Sequence, residues 1–215
     1  MKKENAIKII NNLKNAYPDA TCSLDFETPF QLVVAVMLSA QCTDERVNKT
    51  TPALFERCKT INDFVDIDIT ELENIIHPCG FYKNKAKNIK LCAKQVIENF
   101  NGIVPNTMDE LLTLAGVGRK SANVILLEVF GIANGIAVDT HAKRISNLTG
   151  FSKQKEPTKI EQDLIKIFPK DTLKDINHLL VWHGRNTCIA RKPKCDSCCI
   201  KDFCNHYLST HKSRL

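Results

Sequence analysis

The stretch Leu114-Ala115-Gly116-Val117-Gly118-Arg119-Lys120-Ser121-Ala122 joins two segments with helical periodicity. Its Gly-x-Gly spacing invites a nucleotide-loop reading, and both versions of that reading fail. A dinucleotide fingerprint needs a third glycine, where Ser121 stands, and a preceding strand, where a helix is predicted. A phosphate loop needs Gly-Lys-Ser/Thr, and here Arg119 separates the glycine from Lys120. What remains is a tight hairpin of two helices. Its glycines admit positive φ and close backbone approach. The N–H groups at the start of its second helix form a natural phosphate site. A plain helical hairpin with a glycine cap fits the same residues.

Helical periodicity continues on both sides. Ala6, Ile7, Ile10, Leu13 and Tyr17 form one face of a first helix, stopped by Pro18. Pro29 to Ala40 is apolar nearly all round, as a buried central helix is. A helix is predicted from Thr43 to about Cys58, with Pro52 as a break or a second start. Two capping boxes follow, at Thr70-Glu71-Leu72-Glu73 and Thr107-Met108-Asp109-Glu110, the first opening a helix to His77-Pro78 and the second one to Ala115. Tyr82–Phe100 is a long amphipathic helix, and Arg119–Phe130 is the second arm of the hairpin. Further helices are predicted at Thr140–Leu148, Thr158–Phe168 and Thr172–Gly184. No run alternates with period two, and Ile136-Ala137-Val138 is only a short extended link. The fold class is all-α, with short connections.

The chain has 215 residues, 43% apolar and 25% charged, with eight Gly and eight Pro. Those values exclude collagen-like and low-complexity chains, and no stretch approaches the ~18 apolar residues of a membrane span. The N-terminus has no apolar signal core, so a soluble intracellular protein is expected. Of the net charge of +6, nearly all comes from residues 185–215. There Arg185, Arg191, Lys192, Lys194, Lys201, Lys212 and Arg214 face only Asp196 and Asp202. A basic patch of this kind suits a polyanion.

The ten cysteines divide into two groups. Cys22, Cys42, Cys58, Cys79 and Cys92 are scattered and read as small buried hydrophobes. Cys188, Cys195, Cys198, Cys199 and Cys204 are clustered. Without a secretion signal a disulfide framework is not expected. Four thiolates spaced Cys188-x6-Cys195-x2-Cys198-x5-Cys204 suit zinc or an iron–sulfur cluster, and the chemistry alone leaves the metal open. Cys199 is expected to be free and partly buried.

Gly116-Val117-Gly118 with its basic helix start resembles the helix–hairpin–helix of DNA-binding proteins. The match extends through Leu38-Ser39-Ala40-Gln41-Cys42-Thr43-Asp44, Gly80-Phe81-Tyr82, Val117-Gly118-Arg119-Lys120, Val138-Asp139-Thr140-His141 and the cysteine spacing, in order and over essentially the whole chain. In these features the chain is similar to the endonuclease III family of DNA glycosylase/AP lyases. The resemblance implies two helical domains: a six-helix barrel over residues 22–133 holding the helix–hairpin–helix at about 107–131, and a cluster domain from 1–21 plus 134–215. They are expected to flank a DNA-binding cleft, with Lys120 on one wall and Asp139 on the other.

Lys120 near a helix N-terminus, beside Arg119, is in a setting that disfavours an ammonium, and partial burial would add to this. A neutral lysine amine is a nucleophile suited to C1′ of a nucleotide sugar. Asp139 is predicted to cap the helix at Thr140 and to offer a carboxylate to developing positive charge. A surface phosphate lysine and a purely structural cap are the plain alternatives, which the resemblance outweighs: it makes Lys120 the Schiff-base nucleophile and Asp139 essential. It also implies a [4Fe–4S] cluster on Cys188, Cys195, Cys198 and Cys204. DNA contacts are expected from Gln41, which fills the space of a flipped base, from Phe81 as wedge, from Gly116, Val117, Gly118 and Arg119 of the hairpin, from His141, and from the loop residues Arg191, Lys192 and Lys194. Phe81 replaces a family leucine, with an ordinary core position as its alternative, and Ala115 replaces a family proline. The implied partner is duplex DNA with oxidised pyrimidines or abasic sites, handled by a monomer away from membranes. The remaining alternatives are a non-catalytic helix–hairpin–helix DNA-binding module with a structural metal, and a monofunctional glycosylase. An adenine DNA glycosylase lacks the lysine and carries a further C-terminal domain.

Overall fold

A computed structural model of the chain describes residues 1–211; Lys212 and Arg214 of the basic tail lie outside the described residues. Its helices are α1 (Lys3–Ala16), α2 (Pro29–Ser39), α3 (Asp44–Arg57), α4 (Ile61–Asp66), α5 (Ile69–Ile76), α6 (Tyr82–Phe100), α7 (Met108–Leu111), α8 (Arg119–Phe130), α9 (Thr140–Thr149), α10 (Pro157–Ile167), α11 (Leu173–Asn186) and α12 (Asn205–His211). No strand occurs among the described residues. No helix is long and apolar enough to cross a membrane. Two compact units share the chain: Ser23–Gly131, and Met1–Cys22 together with the residues from Ile132 onward.

The central unit is built on α2. Pro29 occupies its first turn, and a full capping box joins Thr28 and Gln31. Every residue from Phe30 to Leu38 is buried, with α3, α6 and α8 packed around it. Each of its larger apolar side chains contributes about 1.5–3 kcal/mol on leaving water. The predicted break at Pro52 does not occur: α3 runs through it, held by buried Val47, Thr50, Thr51 and Leu54 on both sides of the proline. The helix expected to open at Thr70 opens earlier. Asp68 is its cap, accepting from the N–H groups of both Thr70 and Glu71. The short α4 is not foreseen from the sequence, although Thr60 and Asp63 form a capping box. Lys90 of α6 ties its end down by donating to the carbonyls of Val65 and Ile67.

The other unit pairs the first helix with the last third of the chain. Ala6, Ile9, Ile10 and Leu13 of α1 are buried in one core with Ile145, Ile160, Leu164, Ile176 and Leu180. Ile9 takes the core position expected of Ile7, which is exposed. Lys14 pairs with Asp175 at 2.5 Å, and Trp182 Nε1 donates to the Thr21 carbonyl. The link Ile136-Ala137-Val138 is buried and pinned from two helices. Glu161 Oε1 accepts from the Ile136 N–H, and Asn177 donates to the Ala137 carbonyl. That pinning fixes where Asp139 emerges.

Candidate functional site

The hairpin forms as its sequence demands. Thr107 caps α7, which ends at Leu111, short of the predicted Ala115. Gly116 has φ +77°, and a Cβ there would meet Asn88 Cβ at 3.0 Å and Met37 Cε at 3.2 Å, so the turn needs glycine for both conformation and space. Val117 is buried and its N–H donates to the Leu114 carbonyl, so this residue braces the turn from inside. Gly116, Gly118 and Arg119 are exposed. Gly118 is the N-cap of α8 and brings no side-chain cap, which leaves the helix start suited to an outside anion. Sequence reasoning missed Gln95 of α6. Its Oε1 accepts from the Ala115 N–H at 2.7 Å and its Nε2 donates to the Thr113 carbonyl at 3.2 Å. A proline at 115 has no N–H to give, so the alanine and Gln95 together brace the turn by another route.

Lys120 is the second residue of α8, within the first turn at the positive end of the helix. It is exposed, where partial burial was expected. Asp139 is partly buried and caps α9, its Oδ1 accepting from the Ala142 N–H at 2.7 Å. His141 lies against Gly184 of α11: a Cβ at 184 would stand 2.6 Å from His141 Nδ1. Arg144 Nη2 reaches the same ring nitrogen at 3.4 Å. His141 therefore has a packing role in α9.

Gln41 and Phe81 share an unusual backbone. Both are exposed non-glycine residues in the left-handed region, at φ +55° and +47°. Phe81 is 63% exposed, which removes the core alternative. Backbone of this kind costs of order 1–3 kcal/mol and collects at functional sites. Gly80, at φ +67°, precedes Phe81 in the same turn.

The cysteine loop follows α11. Cys188, Cys195, Cys198 and Cys204 all line one partly open pocket, together with His183, Tyr207 and Ile145. Four sulfur donors around one pocket suit an iron–sulfur cluster, which they would hold through their thiolates. Burial pushes the Cys188 and Cys195 thiols up, and a hydrogen bond with Cys199 together with burial pushes Cys198 up to about 12, so metal must displace their protons. Cys199 is free, and exposed where partial burial was expected. The floor of the loop was not foreseen. His183 is 1% exposed, with Nδ1 3.1 Å from the Tyr17 hydroxyl and Nε2 3.7 Å from Cys198 Sγ. Arg144 donates to the carbonyls of Gly184 and Cys188 at 3.1 and 2.5 Å. Arg191, Lys192 and Lys194 are all exposed between the first two cysteines, beside Pro193. Of the scattered cysteines, Cys58, Cys79 and Cys92 are buried, whereas Cys22 and Cys42 are partly exposed.

Residues 34–170 match the family model of the HhH-GPD superfamily of base excision DNA repair proteins, and residues 188–204 match the iron–sulfur binding domain of endonuclease III. Endonuclease III of Synechocystis sp. is 50% identical over 94% of this chain and 93% of its own. A non-covalent endonuclease III–DNA complex superposes with a TM-score of 0.93 at 39% identity, covering 99% of both chains. A trapped endonuclease III–DNA covalent intermediate gives 0.93 at 39% identity over 98% of this chain and 99% of that one. By descent and by fold, this chain belongs to the endonuclease III family of HhH-GPD base excision DNA repair proteins.

Proposed function

We propose that the chain is a bifunctional DNA glycosylase and abasic-site lyase acting on duplex DNA with oxidised pyrimidines. The observation that carries this reading is Lys120 at the start of α8, immediately after a glycine hairpin open to phosphate. The covalent intermediate trapped on the 39% identical relative supports it. The hairpin and α8 hold the DNA backbone through Gly116, Gly118 and Arg119. The damaged nucleotide leaves the stack, Gln41 takes the vacated space and Phe81 wedges the opened step. The Lys120 amine attacks C1′; the C1′–N bond to the base breaks and the base departs with its electron pair and a proton. The C1′–O4′ bond then breaks, O4′ takes the remaining amine proton, and an imine is left between Lys120 and the opened sugar. Abstraction of a C2′ proton then expels the 3′ phosphate by β-elimination, and water releases the lysine. Asp139 steadies positive charge at C1′.

Cys188, Cys195, Cys198 and Cys204 would hold the [4Fe–4S] cluster, which fastens the loop that carries Arg191, Lys192 and Lys194 to DNA phosphate. A role on the chromosome fits the cytoplasm, at the nucleoid in a bacterium. Borohydride added to enzyme and damaged duplex reduces the imine to a stable adduct visible on a denaturing gel. The adduct is expected with the native chain and absent with Lys120→Ala; its persistence in that variant overturns the assignment. Base release without any adduct would favour a monofunctional glycosylase.

A further inference from the structure

Lys85 lies in the first turn of α6 and is 7% exposed. Its ammonium donates to two backbone carbonyls, Leu38 at 2.8 Å and Cys79 at 2.9 Å. Neither acceptor is an ordinary core group. Leu38 lies in the last turn of α2, where carbonyls lack helical partners and the helix dipole favours a cation. The N–H four residues on, of Cys42, goes to Ser39 instead. Cys79 ends the short 3-10 turn His77–Cys79, before Gly80. Burial pulls the Lys85 pKa down, and the nearby sulfurs of Cys42 and Cys79 oppose that pull.

The two carbonyls lie just before the two strained exposed residues. Leu38 leads through Ser39 and Ala40 to Gln41, and Cys79 leads through Gly80 to Phe81. These segments are 47 and 6 residues from Lys85 in sequence, and one ammonium holds both. A left-handed residue keeps that conformation only where its surroundings over-determine it. A buried charge bonded to both leading segments supplies such a constraint at the cost of its own desolvation.

We propose that Lys85 is a positioning residue that sets Gln41 and Phe81 as one rigid implement for opening the duplex, acting through the Leu38 and Cys79 carbonyls. The proposal rests on the reading of Gln41 and Phe81 as the inserted residues. It predicts a defect specific to duplex DNA, because a single-stranded abasic oligonucleotide has no partner strand to separate.

The test compares kcat/KM for strand cleavage on an abasic duplex and on the same abasic strand alone. Lys85→Met keeps the length of the side chain and removes both hydrogen bonds. It is expected to lower the duplex value by about 10–100-fold, as displaced contact groups do, and the single-strand value far less. Joined to the Gln41→Ala/Phe81→Ala pair, it should add little beyond that pair alone. Equal losses on both substrates, or no loss on duplex, overturn the proposal. Lys85→Gln, which retains a donor for one carbonyl, takes the place of Lys85→Met if that variant loses its helical signal; unfolding of both also overturns the proposal in favour of a core staple. Gln41→Ala and Phe81→Ala are measured in parallel. If they leave the duplex to single-strand ratio unchanged, the reading of those two residues fails, and that outcome is distinct from failure of Lys85 alone.

Discussion

Asp139 has two separable tasks, and the pair Asp139→Asn and Asp139→Ala divides them. As a cap it accepts the Ala142 N–H at 2.7 Å. Asn caps nearly as well as Asp, while Ala forfeits the bond at a cost of about 1 kcal/mol, within a range of roughly 0.5–2. Loss of the negative charge at the start of α9 removes a further ~0.3–1 kcal/mol from both variants. A chain of this size loses about 2–4 °C in melting temperature per kcal/mol. Asp139→Ala is therefore expected to melt roughly 3–10 °C low, and Asp139→Asn within about 4 °C of the native chain. Trp182 is the only tryptophan and belongs to the same unit as α9, so its fluorescence follows the relevant transition. Activity should not follow stability. Both variants lose the carboxylate, and single-turnover cleavage of a duplex with an oxidised pyrimidine, measured well below either midpoint, is expected to fall by about 10²–10⁴ in each. An Asn variant that cleaves at the native rate would show that Asp139 is a cap and nothing more, and the catalytic role would be lost.

Gly184→Ala drives a Cβ to 2.6 Å from the His141 ring, and an overpacking cost of about 1–3 kcal/mol should appear as a lower urea midpoint. Gln95→Leu removes both hydrogen bonds to the hairpin; a loss of roughly 1–3 kcal/mol in stability is expected, with weaker binding of an uncleavable duplex and an unaltered cluster absorbance. Replacing Arg191, Lys192 and Lys194 together by Gln should reduce the slope of log K against log salt by about 0.9 for each phosphate they neutralise in the native chain, with similar effect on any sequence. Asp63 and Asp68 accept backbone N–H bonds that hold their carboxyls below the usual carboxylate range. Their pKa values are depressed in the folded state, so their contribution is complete above roughly pH 4 and drains away as pH falls below that. Asp68→Asn should flatten the acid limb of the stability profile, and an unchanged limb would assign it to other groups.

Long elements with one buried face are legible in the sequence. The bounds of α6 and α8 follow the predicted Tyr82–Phe100 and Arg119–Phe130 because periodicity has many residues to act over. The six residues of α4 span fewer than two turns, too few for a period, and its Thr60–Asp63 box differs from the usual Thr-to-Glu pattern by one methylene. Thr70 does not open its helix because Asp68, two residues earlier, satisfies two N–H groups at once. Pro52 shows burial overriding a local penalty. At the site, the cap formed by Asp139 and the exposure of the hairpin glycines are visible in local order. Lys85, Gln95 and Tyr17 are not, because their partners lie 47, 20 and 166 residues away and no local pattern records such pairings.

The placement of α1 has a consequence for synthesis of the chain. Its apolar face finds its core only with residues beyond Ile132, while the whole Ser23–Gly131 unit lies between. As the chain leaves the ribosome, that middle unit can close while the first helix still waits, with Ile9, Ile10 and Leu13 uncovered, for residues about 130 or more positions later. Tyr17 and Asn12 wait longer still, for His183, Thr187 and the Cys199 carbonyl. Iron can therefore meet a finished cysteine loop only after translation is nearly over. Shortening the N-terminus by some twenty residues should cost the protein its cluster and the yellow-brown colour that goes with it, although none of the residues removed is an iron ligand.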